Sequence, residues 1–380
     1  MKFIYCLPEI SYPGGIGRIT SIKANYLVQN KHDVYIITTD QDNKPSYYDL
    51  DERVKLINLN INFQNQGNGL IKKIVQKVSK MHRYKKELLK YVYKIKPDVI
   101  ISTFTNEAGF LYKFKDGSKK VLECHFNHDI YLCKTKAFKT PFYLRLYYLY
   151  KTKVNDKLVN YYDAFVVLTE EDKILWGKKK NIHVIPNMLS HLPSFQSQLI
   201  NKQVIAIGRL DAQKKFDRLI QIWYRVCKEN KEWHLNIYGQ GSDEEMLNKL
   251  IEKLNLQEFV TINKPVKDVL AKCVNSSILA MTSTYEGWGL VLTEAMSCGV
   301  PCIAYACKCG PKDIISDGVD GFCIEEENEY EYISKLLLLM EDTELRKKMG
   351  EKARQKSLNF SSDILMEKWI ALFQNLLQNP

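Results

Sequence analysis

The sequence predicts an α/β protein built from two doubly wound parallel sheets, and three observations predict it. Strand-like apolar runs alternate with helical patterns along the whole chain, as successive strand–helix–strand units require. A length of 380 residues at 45% hydrophobic content exceeds one ordinary core and suffices for two. The alternation breaks in SHLPSFQSQLINK, residues 190–202, a polar stretch with Pro193 shortly ahead of a fresh strand.

In the first half, strands are expected at 2–7, 33–38, 99–102, 120–123 and 164–168. In the second they are expected at 204–207, 234–238, 260–262, 278–281 and 301–304. Each is a short apolar run beside a longer helical pattern. The break then sets a first domain at 1–195 and a second at 196–360. Ser361-Ser362-Asp363 is a capping signal that opens a last amphipathic helix, and residues 361–380 are expected to pack back on the first domain.

Composition narrows the function classes. No run approaches the eighteen or so uninterrupted apolar residues of a membrane span, and Met1 to Tyr5 open directly into a strand, so a cytoplasmic protein is expected. The ten cysteines read as free thiols. Cys298, Cys302, Cys307 and Cys309 cluster without paired CxxC spacing, and no metal site is expected there.

The net charge of +11 is unevenly divided: residues 1–190 hold 32 Lys and Arg against 18 Asp and Glu, the remainder 23 against 26. Much of the excess lies in residues 71–96, where Ile71, Ile74, Val75, Val78, Leu88, Leu89 and Val92 recur at helical spacing among lysines. A second basic stretch, CKTKAFKTPFYLRLYYLYKTK at 133–153, is rich in aromatics. Such stretches form a solvated helix face, or else meet an anionic membrane or a nucleic acid.

Ligands of doubly wound sheets sit beyond the carboxyl ends of the strands. The first such loop, PEISYPGGIGRIT at 8–20, is close to GxGxxG through Gly15, Gly17 and Thr20, with Asp40 ending the next strand. An NAD site is one reading, but Glu9 to Pro13 separate the glycines from the strand and the third glycine is missing. Gly14, Gly15 and Gly17 instead let backbone approach a ligand at a helix start, where N–H groups suit phosphate. In GRLDAQKKFDRLI, 208–220, Arg209 offers a planar fork and Lys214 a mobile point charge for one anion, with Lys215 an ordinary surface charge.

The loop TSTYEGWG, 282–289, precedes a helix expected at 290–297. Gly287 and Gly289 clear space before the first helical N–H groups. Glu286 ahead of them accepts hydrogen bonds from hydroxyls, and Glu294, just over two turns on, is placed to hold a second diol such as a ribose. Two carboxylates holding two sugars around a diphosphate is the chemistry of a nucleotide-sugar site.

These residues together resemble the retaining glycosyltransferases of family 4, whose two facing Rossmann-like domains form the GT-B arrangement. The likeness lies in Glu286 and Glu294 with seven residues between them, in EAMSCGVP at 294–301 and in CGPKDIISDGVDGF at 309–322. It extends to Gly14-Gly15, to Pro186-Asn187 and to the loop from Gly208 to Lys214. The resemblance implies that Arg209 and Lys214 grip a donor diphosphate, Glu294 binds its ribose and Glu286 orients the hydroxyls of the transferred sugar. Gly289 and Leu290 would offer backbone N–H groups, and Gly15 would close over the phosphates from the first domain. His125, in LECHFNHD, falls near the family histidine that faces the sugar, with His128 as the other candidate; Lys264 to Val266 would flank the nucleobase.

Two positions depart from the pattern: Lys215 stands where relatives commonly have Gly, and Gly17 where they often have Glu. The resemblance implies transfer with retention, without a metal or other cofactor, the leaving phosphate helping to deprotonate the acceptor. It favours a UDP-sugar as donor and a saccharide or lipid-linked saccharide as acceptor, in cell-surface polysaccharide synthesis. The basic first half adds the expectation of a peripheral position on the inner face of a membrane. A nucleotide-sugar epimerase of the same fold remains an alternative, as do an NAD-dependent oxidoreductase and a basic nucleic-acid-binding protein, although no nucleic-acid-binding motif accompanies the lysines.

Overall fold

In the computed structural model, which describes residues 1–65, 69–137 and 140–378, two all-parallel sheets follow one another along the chain. The first contains β1 (Lys2–Leu7), β2 (Asp33–Thr38), β3 (Lys55–Asn58), β4 (Val99–Ser102), β5 (Lys119–Glu123), β6 (Ala164–Val167) and β7 (Ile182–Val184). Their order is β3-β2-β1-β4-β5-β6-β7. The second contains β8 (Gln203–Ile207), β9 (His234–Tyr238), β10 (Val260–Asn263), β11 (Ile278–Met281), β12 (Cys302–Tyr305) and β13 (Gly321–Ile324), ordered β10-β9-β8-β11-β12-β13. Residues 185–202 between the sheets form neither helix nor strand. These are the two doubly wound α/β domains that the alternation predicts.

Helices connect the strands. In the first sheet they are α1 (Gly15–Gln29), α2 (Leu70–Ile95), α3 (Ile130–Ala137), α4 (Phe142–Leu158) and α5 (Glu170–Trp176). In the second they are α6 (Phe216–Glu229), α7 (Glu244–Lys253), α8 (Val269–Val274), α9 (Leu290–Ser297) and α10 (Pro311–Ile314). The chain ends through α11 (Glu329–Glu341), α12 (Thr343–Ser357) and α13 (Ser362–Gln378).

All ten expected strands lie within one residue of their expected ends at both termini. The one-residue shift of β12 has a cause, since it starts after Pro301, which has no N–H for a ladder, and three further strands, β3, β7 and β13, were not expected at all. All three are sheet edges of three or four residues, KLIN, IHV and GFCI. An edge strand covered on fewer sides needs no continuous apolar run.

Burial follows the pattern of each element. Buried Leu365, Met366, Trp369, Leu372 and Phe373 form one face of α13, which returns to the first sheet. There Phe373 packs on Phe3 at 5.0 Å between ring centroids, and the Lys23 ammonium lies 3.7 Å from the Trp369 ring centroid. One apolar cluster therefore joins Tyr5 and Ile19 to Trp369 and Phe373 and continues to Leu279 and Leu292 of the second sheet.

The basic stretches are less uniform than their periodicity suggests. Along α2, Tyr84, Leu88 and Val92 are buried, whereas Ile74, Val75 and Val78 are exposed; the side chain of Ile71 lies outside the described ones. Lys80 bonds the carbonyls of Asn62 and Asn65, so it belongs to the fold and not to the solvated face. Residues 138–139 of the second stretch and 379–380 of the last lie outside the described residues. No residue of α4 is buried, and Phe142, Tyr143, Leu146 and Tyr150 face solvent.

Candidate active site

Each sheet reverses its strand order once beside its first strand, between β1 and β4 in one and between β8 and β11 in the other. Loops leaving the two strands at such a point diverge to opposite faces and open a crevice. Arg209 and Lys214 leave β8, and Glu286 leaves β11, so the topology itself brings these side chains together.

Lys214 Nζ donates to Glu286 Oε1 at 2.6 Å. Arg209 remains largely exposed, its Nη2 3.1 Å from both Asp211 Oδ2 and Gln213 Oε1. Gln213 in turn donates through Nε2 to the carbonyl of Tyr285 at 3.0 Å, which ties the two loops. The Thr282 hydroxyl spans the carbonyls of Lys214 and Lys215 and fixes the turn between them. Lys215 has φ of 53°, a left-handed conformation that explains why glycine suits this position.

The glycines of the following loop serve distinct purposes. A Cβ on Gly287 would lie 2.1 Å from the carbonyl oxygen of His125, so only glycine lets the two domains meet there. Gly289, at φ 98°, turns the chain into α9. Across the cleft, Gly15 lies against Leu290, whose Cδ1 would be 3.6 Å from a Cβ placed on that glycine. Glu294 is buried in α9, and its carboxylate meets the guanidinium of Arg18, from α1 of the first domain. Burial pushes the Glu294 carboxyl up, and Arg18 opposes the rise.

The first domain supplies the facing surface. Gly14 N–H donates to the Tyr48 hydroxyl at 2.9 Å, and that hydroxyl is 3.1 Å from the Gly14 carbonyl, pinning the loop. Gly17 packs against Ile10 and Tyr48, which occupy the space a longer side chain would take. Asn127 Nδ2 donates to the Glu286 carbonyl at 3.0 Å across the cleft.

The two histidines differ in their surroundings. The His128 ring is held by Asp129 at 2.8 Å on Nδ1 and by Asp156 at 3.2 Å on Nε2, with Trp176 edge-on. His125 is enclosed, and its Nδ1 has no hydrogen-bond partner among the described residues. Its Nε2 is 3.2 Å from Glu123 Oε1, close enough for an ion pair but not directed as a hydrogen bond. Beneath it, burial favours the neutral acid of Glu123, yet Lys23 and His125 hold the carboxyl well below its ordinary value.

Lys264 and Val266 lie between β10 and α8; Val266 packs on the same core as Leu290, and the Lys264 side chain is exposed. No hydrogen bond or ion pair links either to Glu286 or Glu294 among the described residues. Sequence reasoning missed Arg18, although it stands in the same glycine loop, one helical turn beyond Gly14. It also missed the rest of the seam: the Lys308–Asp129 ion pair, the Lys312–Glu171 pair at 2.8 Å and the Cys309 N–H donating to Glu171 at 2.8 Å. Cys298, Cys302, Cys307 and Cys309 are buried thiols. Among the described residues, no group of three or more His, Cys, Asp or Glu side chains is arranged to hold a metal ion.

A cleft between two parallel α/β domains, carrying cations and a glycine-opened helix on one side and a glycine loop on the other, is the plan of a GT-B glycosyltransferase. The structure of HepE from Anabaena in complex with UDP and glucose superposes with a TM-score of 0.74 at 16% identity, over 99% of this chain and 100% of that one, a likeness of fold. The description "Glycosyltransferase Family 4" matches residues 13–190 and "Glycosyl transferases group 1" matches residues 193–356. The chain belongs to the glycosyltransferases of the family 4 type.

Relatives match along nearly their whole length. The amylovoran biosynthesis glycosyltransferase AmsD of Erwinia amylovora is 28% identical over 97% of this chain and 98% of its own. The GalNAc-alpha-(1->4)-GalNAc-alpha-(1->3)-diNAcBac-PP-undecaprenol alpha-1,4-N-acetyl-D-galactosaminyltransferase of Campylobacter jejuni is 27% identical over 98% of both chains.

Proposed function

We propose that the protein transfers a hexosyl group from a UDP-sugar, with retention, to a saccharide or lipid-linked saccharide used in a cell-surface polysaccharide. The observation that carries this reading is the convergence of Arg209, Lys214, Glu286 and the start of α9 at the switch point of the second sheet, opposite Gly14, Gly15 and His125. Cleavage of the bond between the anomeric carbon and the phosphate builds negative charge on the diphosphate and positive charge on the sugar ring. Arg209, Lys214 and the first N–H groups of α9 stabilise the former. Glu286 and His125 face the sugar, and Glu294 takes the ribose.

The leaving phosphate lies on the face that the acceptor hydroxyl attacks, and it accepts that hydroxyl's proton. The charge on the diphosphate is met by side chains, so turnover is expected to survive chelation of divalent metals. Lys264 and Val266 flank the nucleobase. Names of the relatives support a glycan acceptor, and the UDP and glucose bound to HepE support the donor class.

The exposed apolar residues of α2 and α4, interleaved with lysines, support a peripheral position on an anionic membrane that presents the acceptor. No helix among the described residues is long and apolar enough to cross a membrane.

A thermal-shift panel of UDP-, GDP- and ADP-sugars tests the donor. A true donor at a hundredfold excess over Kd adds about 2.7 kcal/mol to stability. A rise confined to UDP-sugars is expected, and no rise with any nucleotide sugar would contradict the reading.

A further inference from the structure

Arg18 is contributed by the first domain, yet its partner is a carboxylate of the second. Its Nη1 meets Oε1 of Glu294, and the two side chains are 19% and 6% exposed, so the pair is largely withdrawn from water. No described residue donates to the other carboxylate oxygen, Oε2. One oxygen is thus fixed by a cation and the other is left to a ligand. We propose that Arg18 is a positioning residue of the donor site, holding Glu294 ionised and aimed so that its recognition of a ribose diol is complete only when the domains are closed. This rests on the donor reading given above.

The physical reason is the environment of Glu294. It lies in a helix whose every residue after Leu290 is buried, where an unpaired carboxylate favours its neutral form. A protonated carboxyl accepts poorly from two hydroxyls, so a diol site built there needs a counter-charge. The groups that face Glu294 are Arg18 from α1, Tyr48 from the loop after β2 and Cys273 from α8. Burial raises Tyr48; for Cys273, the hydrogen bond with Cys298 and then burial do the same, so both stay neutral through the neutral range. Of this group, Glu294 is the one whose charge is opposed by burial and sustained by Arg18.

Calorimetric titration with UDP-glucose, whose esterified diphosphate keeps one charge state across the neutral range, tests this from about pH 8 down to about pH 6. Arg18→Ala is expected to weaken binding about tenfold at the upper end, with the loss growing by up to about tenfold per unit as Glu294 takes up its proton. Arg18→Lys restores most of the wild-type profile. Adding Glu294→Gln to Arg18→Ala leaves weak binding that no longer varies with pH. Circular dichroism of each variant confirms that it is folded. Wild-type affinity in Arg18→Ala at every pH, or a loss of the same size at every pH, overturns the role assigned to Arg18. Failure of the wild-type protein to bind UDP-, GDP- or ADP-glucose overturns the donor reading itself, and is a separate result.

Discussion

Lys214 Nζ lies 2.6 Å from Glu286 Oε1, and neither side chain is more than 16% exposed. The ammonium is therefore aimed before any ligand arrives, by a carboxylate from the neighbouring loop. Arg209 is held more loosely and stays mostly in solvent. If the two cations stabilise a leaving diphosphate, Arg209→Ala lowers turnover roughly a hundredfold. Lys214→Ala lowers it at least as far, since it also leaves Glu286 enclosed without its partner. Steady-state kinetics with an identified donor measures both; near-normal turnover in both variants removes this site from the chemistry.

Gly287 marks where the domains touch. A methyl group there meets the carbonyl of His125 at 2.1 Å, and only backbone movement relieves it. Gly287→Ala is expected to misplace the two halves of the site and lower turnover by roughly a hundredfold while each domain stays folded. Unchanged turnover with a native circular dichroism spectrum would show that this contact does not govern the active geometry.

Lys215 sits at φ 53°, with its ammonium 3.9 Å from Asp217. Replacing it with glycine removes a left-handed strain of about 1 kcal/mol and returns part of that as unfolded-state entropy. Lys215→Gly should therefore raise stability by about 0.5 kcal/mol in urea unfolding. A loss of stability would mean that the side chain contributes more than its backbone conformation costs.

These positions show what the sequence makes legible. Central strands buried on both faces are continuous apolar runs and are read nearly to the residue, whereas edge strands such as KLIN and IHV carry no such run. Within the second domain, Arg209, Lys214 and Glu286 were legible because glycines, cations and acids recur at the ends of strands. Partners across the cleft were not. Arg18 and Glu294 are separated by 275 intervening residues, and no local pattern reports a contact between domains. The split of α2 into a buried half and an exposed half is likewise set by what lies next to each half, not by its own period.

Asp172 gives a pH signature to the seam. Burial pushes its carboxyl up to about 6, despite hydrogen bonds from the His128 N–H and the Trp176 indole. Its unfolded value is about 3.9, so its contribution to stability is fully present below that pH and is lost as pH rises through about 6. The stability difference between wild type and Asp172→Asn is expected to change by about 2–3 kcal/mol between pH 4 and 7, in the direction that disfavours wild type as pH rises. Parallel stability curves would assign Asp172 an ordinary carboxyl.

Membrane attachment makes a separate prediction. Sedimentation with anionic vesicles, reversed by salt, is expected, with each lysine at the surface contributing about 1 kcal/mol. Neutralising Lys72, Lys73 and Lys77 weakens it, and so does replacing Phe142 and Tyr143 with Ser; neutralising Lys80 is a poorer test, because that side chain is committed to the carbonyls of Asn62 and Asn65. Equal sedimentation with neutral and anionic vesicles would leave these lysines as a solvated face.

The central claim is that Glu286 serves the transferred sugar and Glu294 the nucleoside. Calorimetric titration of Glu286→Gln and Glu294→Gln with bare UDP, alongside turnover of each with the intact donor, separates the two roles directly. Glu286→Gln is expected to bind UDP nearly as wild type does while losing turnover, and Glu294→Gln to lose UDP affinity itself. Equal loss of UDP affinity in both variants, or none in Glu294→Gln, would contradict the account.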